Sequence, residues 1–135
     1  MHSIEEMLRE AKVIAVVGLS PREDRPSNEV AKYLQEQGYR IVPVNPDVSE
    51  VLGEKAYPDL RSIPEPVDLV DIFRRPKDVG PVVDQAVEIG AKAVWMQLGI
   101  VNEEAATVAR EAGLGVVIDR CTLIEHKRMK REGTL

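Results

Sequence analysis

The sequence has little of what several classes of protein depend on. Its 135 residues include one cysteine, Cys121, so an intrachain disulfide is excluded and a reducing compartment, the cytoplasm, is expected. No apolar run approaches the roughly 20 residues of a membrane span, and the N-terminal segment lacks the cationic start and apolar stretch of a signal peptide. The net charge of −5 argues against nucleic-acid binding, which relies on a basic surface.

Aromatic residues are also scarce, at 4% of the chain, so the core must consist mostly of valine, isoleucine, leucine and alanine. A hydrophobic content of 44% and a charged content of 30% are ordinary for a globular protein. The length suits one hydrophobic core. We therefore expect a single domain over residues 1–135.

Short apolar runs alternate with segments of helical period. The runs predict five strands, at residues 13–17, 41–44, 69–73, 93–97 and 116–119. The segments predict an N-terminal amphipathic helix and helices at about 28–37, 77–88 and 102–111, each of the last three followed by a glycine. Strands this apolar are covered on both faces, which indicates a parallel sheet. The sequence thus predicts an α/β, doubly wound, Rossmann-like fold with strand order 3-2-1-4-5 and a short helix near 60–63.

In such a sheet, ligands bind outside the carboxyl ends of the strands. The first strand is followed by GLSPREDRPS, which has one glycine, Gly18, of the three in the dinucleotide fingerprint G-x-G-x-x-G. Ser20 offers a hydroxyl, Arg22 and Arg25 offer positive charge, and Ser27 is a suitable N-cap for the next helix. A helix N-terminus favours anions, so this loop indicates either a phosphate site or a solvated loop.

The residues that follow the second and third strands indicate which kind of ligand the crevice suits. An NAD-binding fold places an acidic residue at the end of its second strand, but Asn45 and Pro46 stand here, so NAD is disfavoured. Arg74 and Arg75 follow the third strand and are expected to face the same crevice, where converging cations would attract an anion. The alternative is that Arg75 pairs with Asp71 or Asp78.

The last loop contains Cys121, with His126 five residues further on. A thiol beside an imidazole can be a nucleophile, yet this is not a same-face helical spacing and no third orienting group is evident. A small buried cysteine is the alternative. His2 and His126 form no recognisable metal set, and no carboxylate pair has the spacing of an acid and base. The basic C-terminal segment 127–131 is interpreted as a solvated end or a contact for an acidic partner.

Five motifs, taken in their order and spacing, resemble a known family: VVGLS, YRIVPVNP, GEKAYPDLRSIPEPVDLVDIF, WMQLGI and DRCTLIEHKR. Over roughly residues 4–128 the chain resembles the CoA-binding domain of the succinyl-CoA synthetase α subunit and of ADP-forming acyl-CoA synthetases. It is more similar still to the small stand-alone bacterial CoA-binding proteins. The synthetases have a first loop richer in glycine or threonine than this chain.

The resemblance implies a Rossmann-like domain that binds CoA as a ligand. It implies phosphate contacts from Gly18, Leu19, Ser20 and Arg22, a nucleotide pocket lined by Val44, Asn45 and Pro46, an adenine-side segment at Phe73, Arg74 and Arg75, and a pantetheine path bordered by Gln97, Leu98 and Gly99. The phosphorylated histidine of the synthetases lies in a second domain that is absent from these residues, so His126 does not inherit its role.

The function expected is therefore non-catalytic binding of CoA or an acyl-CoA by a carrier, sensor or regulator, with no metal. An NADP-linked oxidoreductase and a Cys121-dependent acyl transferase stay open as alternatives. The partners expected are a small nucleotide ligand, with no nucleic acid and no membrane. A homodimer through an edge strand or the C-terminal helix and an unidentified protein partner are both left open.

Overall fold

The computed structural model describes all 135 residues. Its strands are β1 (Val13–Val17), β2 (Arg40–Val44), β3 (Glu50–Val51), β4 (Glu54–Lys55), β5 (Leu69–Ile72), β6 (Ala93–Met96) and β7 (Gly115–Val117). Its helices are α1 (Ile4–Glu10), α2 (Pro26–Glu36), α3 (Val79–Glu88), α4 (Glu103–Glu111) and α5 (Thr122–Glu132), with 3₁₀ turns at Leu60–Ser62 and Pro76–Asp78. The predicted parallel α/β fold is confirmed, and β3 and β4 form a small additional hairpin.

The strand order in the main sheet is β2-β1-β5-β6-β7. Counting only these five strands, the order is 2-1-3-4-5, so the predicted order 3-2-1-4-5 is wrong. β1 pairs with β2 on one side and with β5 on the other, with Ile14 opposite both Ile41 and Leu69. The switch in direction therefore lies between β1 and β5, and the loops after these two strands meet there.

Pro43 gives the physical reason for the true order. Its carbonyl points away from β1 and accepts a hydrogen bond from the backbone N–H of Tyr57 (3.0 Å). The proline nitrogen faces the same outer side and has no proton to donate, so a full strand cannot pair there. β2 is therefore an edge strand, closed by one bridge between Val44 and Tyr57. By contrast, all four residues of β5 are buried, which suits a central position.

Helices cover both faces of the sheet, and two apolar clusters of 17 and 16 buried residues form the core. Trp95 is fully buried, and its indole N–H donates to the carbonyl of Arg120 (2.8 Å). The glycines after α2, α3 and α4 have positive φ, which confirms the predicted helix ends. None of the helices is long and apolar enough to span a membrane.

The basic C-terminal segment belongs to α5 and is not a frayed end. The guanidinium of Arg128 forms ion pairs with Glu5, Glu125 and Glu132, and Met129 is fully buried in the core. The ion pair with Glu5 joins α5 to α1. The beginning of α5 follows β7 and so lies at the carboxyl edge of the sheet.

Candidate functional site

A cavity of about 720 Å³ opens at the carboxyl edge of the sheet, within the size range of small-molecule sites. Ten of the predicted site residues line it: Gly18, Ser20, Arg22, Arg25, Ser27, Phe73, Arg74, Arg75, Gln97 and Leu98. Five further residues complete the lining: Pro26, Val30, Pro76, Ile100 and Cys121. The loops after β1, β5 and β6 and the beginning of α5 thus meet in one place.

Gly18 allows the first two of these loops to touch. Its φ of +87° lies in the left-handed region, and an added Cβ would lie 2.3 Å from the carbonyl oxygen of Phe73. Any side chain would therefore strain the backbone and also push the loop after β1 away from the loop after β5. The single glycine of the incomplete fingerprint serves close packing at the cavity floor.

The loop after β1 is held by its own hydrogen bonds. The hydroxyl of Ser27 accepts from the N–H of Ser20 (3.0 Å), and the amide of Asn28 donates to the carbonyl of Ser20 (2.9 Å). The prediction that Ser27 caps α2 is wrong, because the helix begins at Pro26 with Arg25 in the N-cap position. The N-terminus of the 11-residue α2 faces the cavity and adds positive potential there.

Four arginines line the cavity, and only two of them form ion pairs with carboxylates of the protein. Arg22 forms an ion pair with Asp24 (2.9 Å), and Arg75 forms one with Asp78 (3.1 Å), as the alternative prediction for Arg75 anticipated. All four of these side chains are at least 43% exposed, so the pairs contribute little to stability. Arg25 and Arg74 form no ion pair, which leaves two guanidinium groups free for an anionic ligand.

Five predicted site residues lie outside the cavity lining: Leu19, Val44, Asn45, Pro46 and Gly99. The side chain of Leu19 is fully buried in the core. Asn45 supports the site from behind, because its amide donates to the carbonyl of Leu19 (3.0 Å). Val44 lines a separate cavity of about 90 Å³ that shares Arg74 with the larger one. Pro46 and Gly99 are exposed, and the N–H of Gly99 donates to the carboxylate of Asp119 (2.6 Å).

A buried chain of polar groups lies behind the loop after β6, and we call Asp71, Thr122 and Gln97 the buried relay. The oxygen Oε1 of Gln97 accepts from the backbone N–H of Thr122 (3.0 Å) and lies 2.9 Å from its hydroxyl. The same hydroxyl lies 3.0 Å from Oδ2 of Asp71. Burial raises the pKa of Asp71 to about 8, opposed by the Thr122 hydroxyl.

Cys121 lines the cavity, but His126 does not. Nδ1 of His126 lies 2.8 Å from the hydroxyl of Tyr33, and burial, together with Lys130, lowers the pKa of the imidazole. No hydrogen bond joins His126 to the thiol. The structure thus separates the two residues of the hypothetical catalytic pair, and it contains no group of three side chains suited to hold a metal ion.

Comparison with known proteins identifies the family of the chain. The family model described as CoA binding domain matches residues 12–127. The chain belongs to the CoA-binding domain family.

Three known proteins are similar to this chain. The uncharacterized protein YneT of Bacillus subtilis is 45% identical over 123 residues, which cover 91% of each chain. A hypothetical protein from Pyrococcus horikoshii has a solved structure with a TM-score of 0.92 and 47% identity, covering 94% of this chain and 89% of that one. The ADP-forming acetate–CoA ligase I of Archaeoglobus fulgidus is 31% identical over 126 residues, or 86% of this chain. The match spans 18% of that ligase.

The sequence patterns indicated residues that line this cavity but missed the buried relay behind it. Asp71 had been considered as a partner for Arg75, whereas it is fully buried and bonded to Thr122, 51 residues away in sequence. An acidic residue within an otherwise apolar strand, VDLVDIF, was the available signal. Such a residue must be neutral or paired when the strand is central.

Proposed function

We propose that the protein binds CoA or an acyl-CoA, without catalysis, in the 720 Å³ cavity at the carboxyl edge of the sheet. It would act as a carrier, sensor or regulator in the cytoplasm. The observation that carries this proposal is the presence of two unpaired guanidinium groups, on Arg25 and Arg74, at the mouth of one cavity. CoA has a pyrophosphate and a 3′-phosphate, and a planar guanidinium suits phosphate oxygens.

The other lining residues fit the remainder of CoA. Leu98 and Ile100 give the loop after β6 an apolar surface, and Cys121 adds a small side chain beside them. An uncharged pantetheine arm suits such a surface better than a phosphate does. The family membership and the similarity to one segment of an acetate–CoA ligase support the same ligand.

The alternatives have less support. NADP would use the arginines for its 2′-phosphate, but Asn45 occupies the place of the ribose-binding acid and its amide is engaged by the carbonyl of Leu19. A Cys121-dependent acyl transferase needs a base beside the thiol. His126, the nearest candidate in sequence, is engaged by Tyr33.

Calorimetric titration with CoA, acetyl-CoA, NADP and ATP tests the proposal. We expect CoA or acetyl-CoA to bind, and Arg74→Ala to weaken that binding roughly tenfold or more, since a hydrogen bond to a charged group contributes roughly 1.5–3 kcal/mol. Arg110→Ala is the matched control, because Arg110 is exposed on α4 and lies outside the cavity. A response to NADP alone, or equal effects of both substitutions, would refute the proposal.

A further inference from the structure

If Asp71 were ionised, the buried relay would contain more hydrogen-bond acceptors than it has protons to share among them. The hydroxyl of Thr122 has one proton, yet it lies within hydrogen-bond distance of two oxygens, on Asp71 and Gln97. If Asp71 were a carboxylate, both oxygens would compete for that proton. If Asp71 is a carboxylic acid, it donates to Thr122, Thr122 donates to Gln97, and every proton of the chain has one acceptor.

The surroundings of Asp71 also favour the neutral acid. Its strand neighbours are Val16 on β1 and Trp95 on β6, and its Oδ1 has no partner at all. The ionisable side chains packed against the core on this face include Tyr33, Tyr39, Cys121 and His126. The only side chain that hydrogen-bonds to Asp71 is Thr122, and Asp71 forms no ion pair, so no cation offsets the burial of a negative charge.

The relay fixes which end of the Gln97 amide faces the cavity. The backbone N–H of Thr122 donates to the amide, so the atom that receives it must be the oxygen. The amide nitrogen Nε2 has no protein partner and, unlike Oδ1 of Asp71, is not sealed from solvent. Because Gln97 is only 4% exposed and lines the cavity, its free N–H₂ group is presented there.

We infer that Asp71 is a positioning residue, held as a carboxylic acid, which acts through Thr122 to make Gln97 a fixed hydrogen-bond donor for a carbonyl oxygen of the bound ligand. This inference rests on the proposed function and names the part of the ligand that the Gln97 side of the cavity recognises. An uncharged donor next to Leu98 and Ile100 suits an amide or thioester carbonyl, whereas Arg25 and Arg74 suit the phosphates.

Infrared spectroscopy tests the state of Asp71 without any ligand. We expect the protein at pH 7 to show the C=O stretch of a protonated carboxylic acid, and Asp71→Asn to remove it. Asp84→Asn is the control, because Asp84 is exposed on α3 and should leave that band in place. Absence of the band at pH 7, or its persistence in Asp71→Asn, would overturn the inference.

Titrations with acetyl-CoA test the positioning role. Thr122→Val should weaken binding about 2- to 10-fold, the range of one neutral hydrogen bond, and Thr122→Ser should restore it. Between pH 7 and pH 9 the wild type should lose affinity relative to Asp71→Asn, because asparagine keeps a donor toward Thr122 at every pH. Identical pH profiles for the two proteins, or full affinity in Thr122→Val, would contradict the role.

Titrations with acetyl-CoA and with CoA distinguish whether Gln97 binds the thioester carbonyl or an amide carbonyl. A loss in Thr122→Val for acetyl-CoA alone assigns Gln97 to the thioester carbonyl, and an equal loss for CoA assigns it to an amide of the pantetheine arm. If the wild type binds neither ligand, the proposed function and the ligand-facing part of this inference both fail. The infrared result then decides the protonated relay by itself.

Discussion

Two walls of the cavity hold their polar groups in different ways. One is the arginine wall, formed by Arg22, Arg25, Arg74 and Arg75, and the other is formed by Gln97. The arginines lie near solvent, and two of them are paired with neighbours only two or three residues away. Gln97 is held by groups from β5 and α5 that are buried and uncharged when Asp71 is protonated. The charged guanidinium groups thus lie near water, which reduces the cost of burying their charge. The Gln97 amide, whose direction is fixed by hydrogen bonds, lies where water is excluded.

The largest expected effect is the dependence of folding stability on pH that Asp71 causes. Because the pKa of Asp71 is raised in the folded protein to about 8, the folded state retains a proton that the unfolded state releases above about pH 4. Stability should therefore fall as the pH rises from about 4 to 8, by up to about 1.4 kcal/mol per unit.

The asparagine of Asp71→Asn does not titrate. The unfolding free energy of this variant relative to the wild type should therefore increase across the same interval and level off above pH 8. Urea unfolding of both proteins at pH 5, 6.5 and 8 measures this difference. A constant difference between the two proteins over that range would show that Asp71 is already ionised in the folded protein at pH 5.

The next effect concerns the contact between the loops that form the arginine wall. Gly18→Ala should destabilise the protein by more than about 2 kcal/mol, because it adds a clash with the carbonyl of Phe73 to the strain of a positive φ. Gly38→Ala is the control, since Gly38 also has a positive φ but open space around it. If urea unfolding gave equal losses for both variants, the close approach at Gly18 would not matter.

The smallest effects on stability should come from the paired arginines. Arg22→Ala and Arg75→Ala each remove an exposed ion pair, so we expect changes of less than about 0.5 kcal/mol in unfolding free energy. In CoA titrations at low salt, both should weaken binding less than Arg25→Ala, whose charge has no competing carboxylate. A larger loss from Arg22→Ala than from Arg25→Ala would reverse this ranking.

The sequence was a good guide to the elements and to the arginine wall, because local patterns determine both. Apolar runs located all five strands of the main sheet, and the rule for parallel sheets selected the loops that line the cavity. The strand order was mispredicted although Pro43 carried the signal for an edge strand. The pairing of Arg22 with Asp24 depends on side-chain geometry that apolar periodicity does not describe.

The buried relay was beyond such patterns, because its members come from three distant segments. Nothing in the local sequence of Thr122 indicates that its hydroxyl lies between Asp71 and Gln97. The same holds for Ser27, whose position near the start of α2 suggested a cap. Its hydroxyl instead holds the N–H of Ser20 at the cavity.

Pro43 also has a consequence for self-association. A sheet with free edges is a template for other chains, and aggregation by strand addition begins at such an edge. On β2 the missing proton of Pro43 and the bridge to Tyr57 remove that template. The other edge, β7, is only three residues long, too short to hold a foreign strand firmly. One proline within an edge strand thus helps to protect the whole sheet from polymerisation.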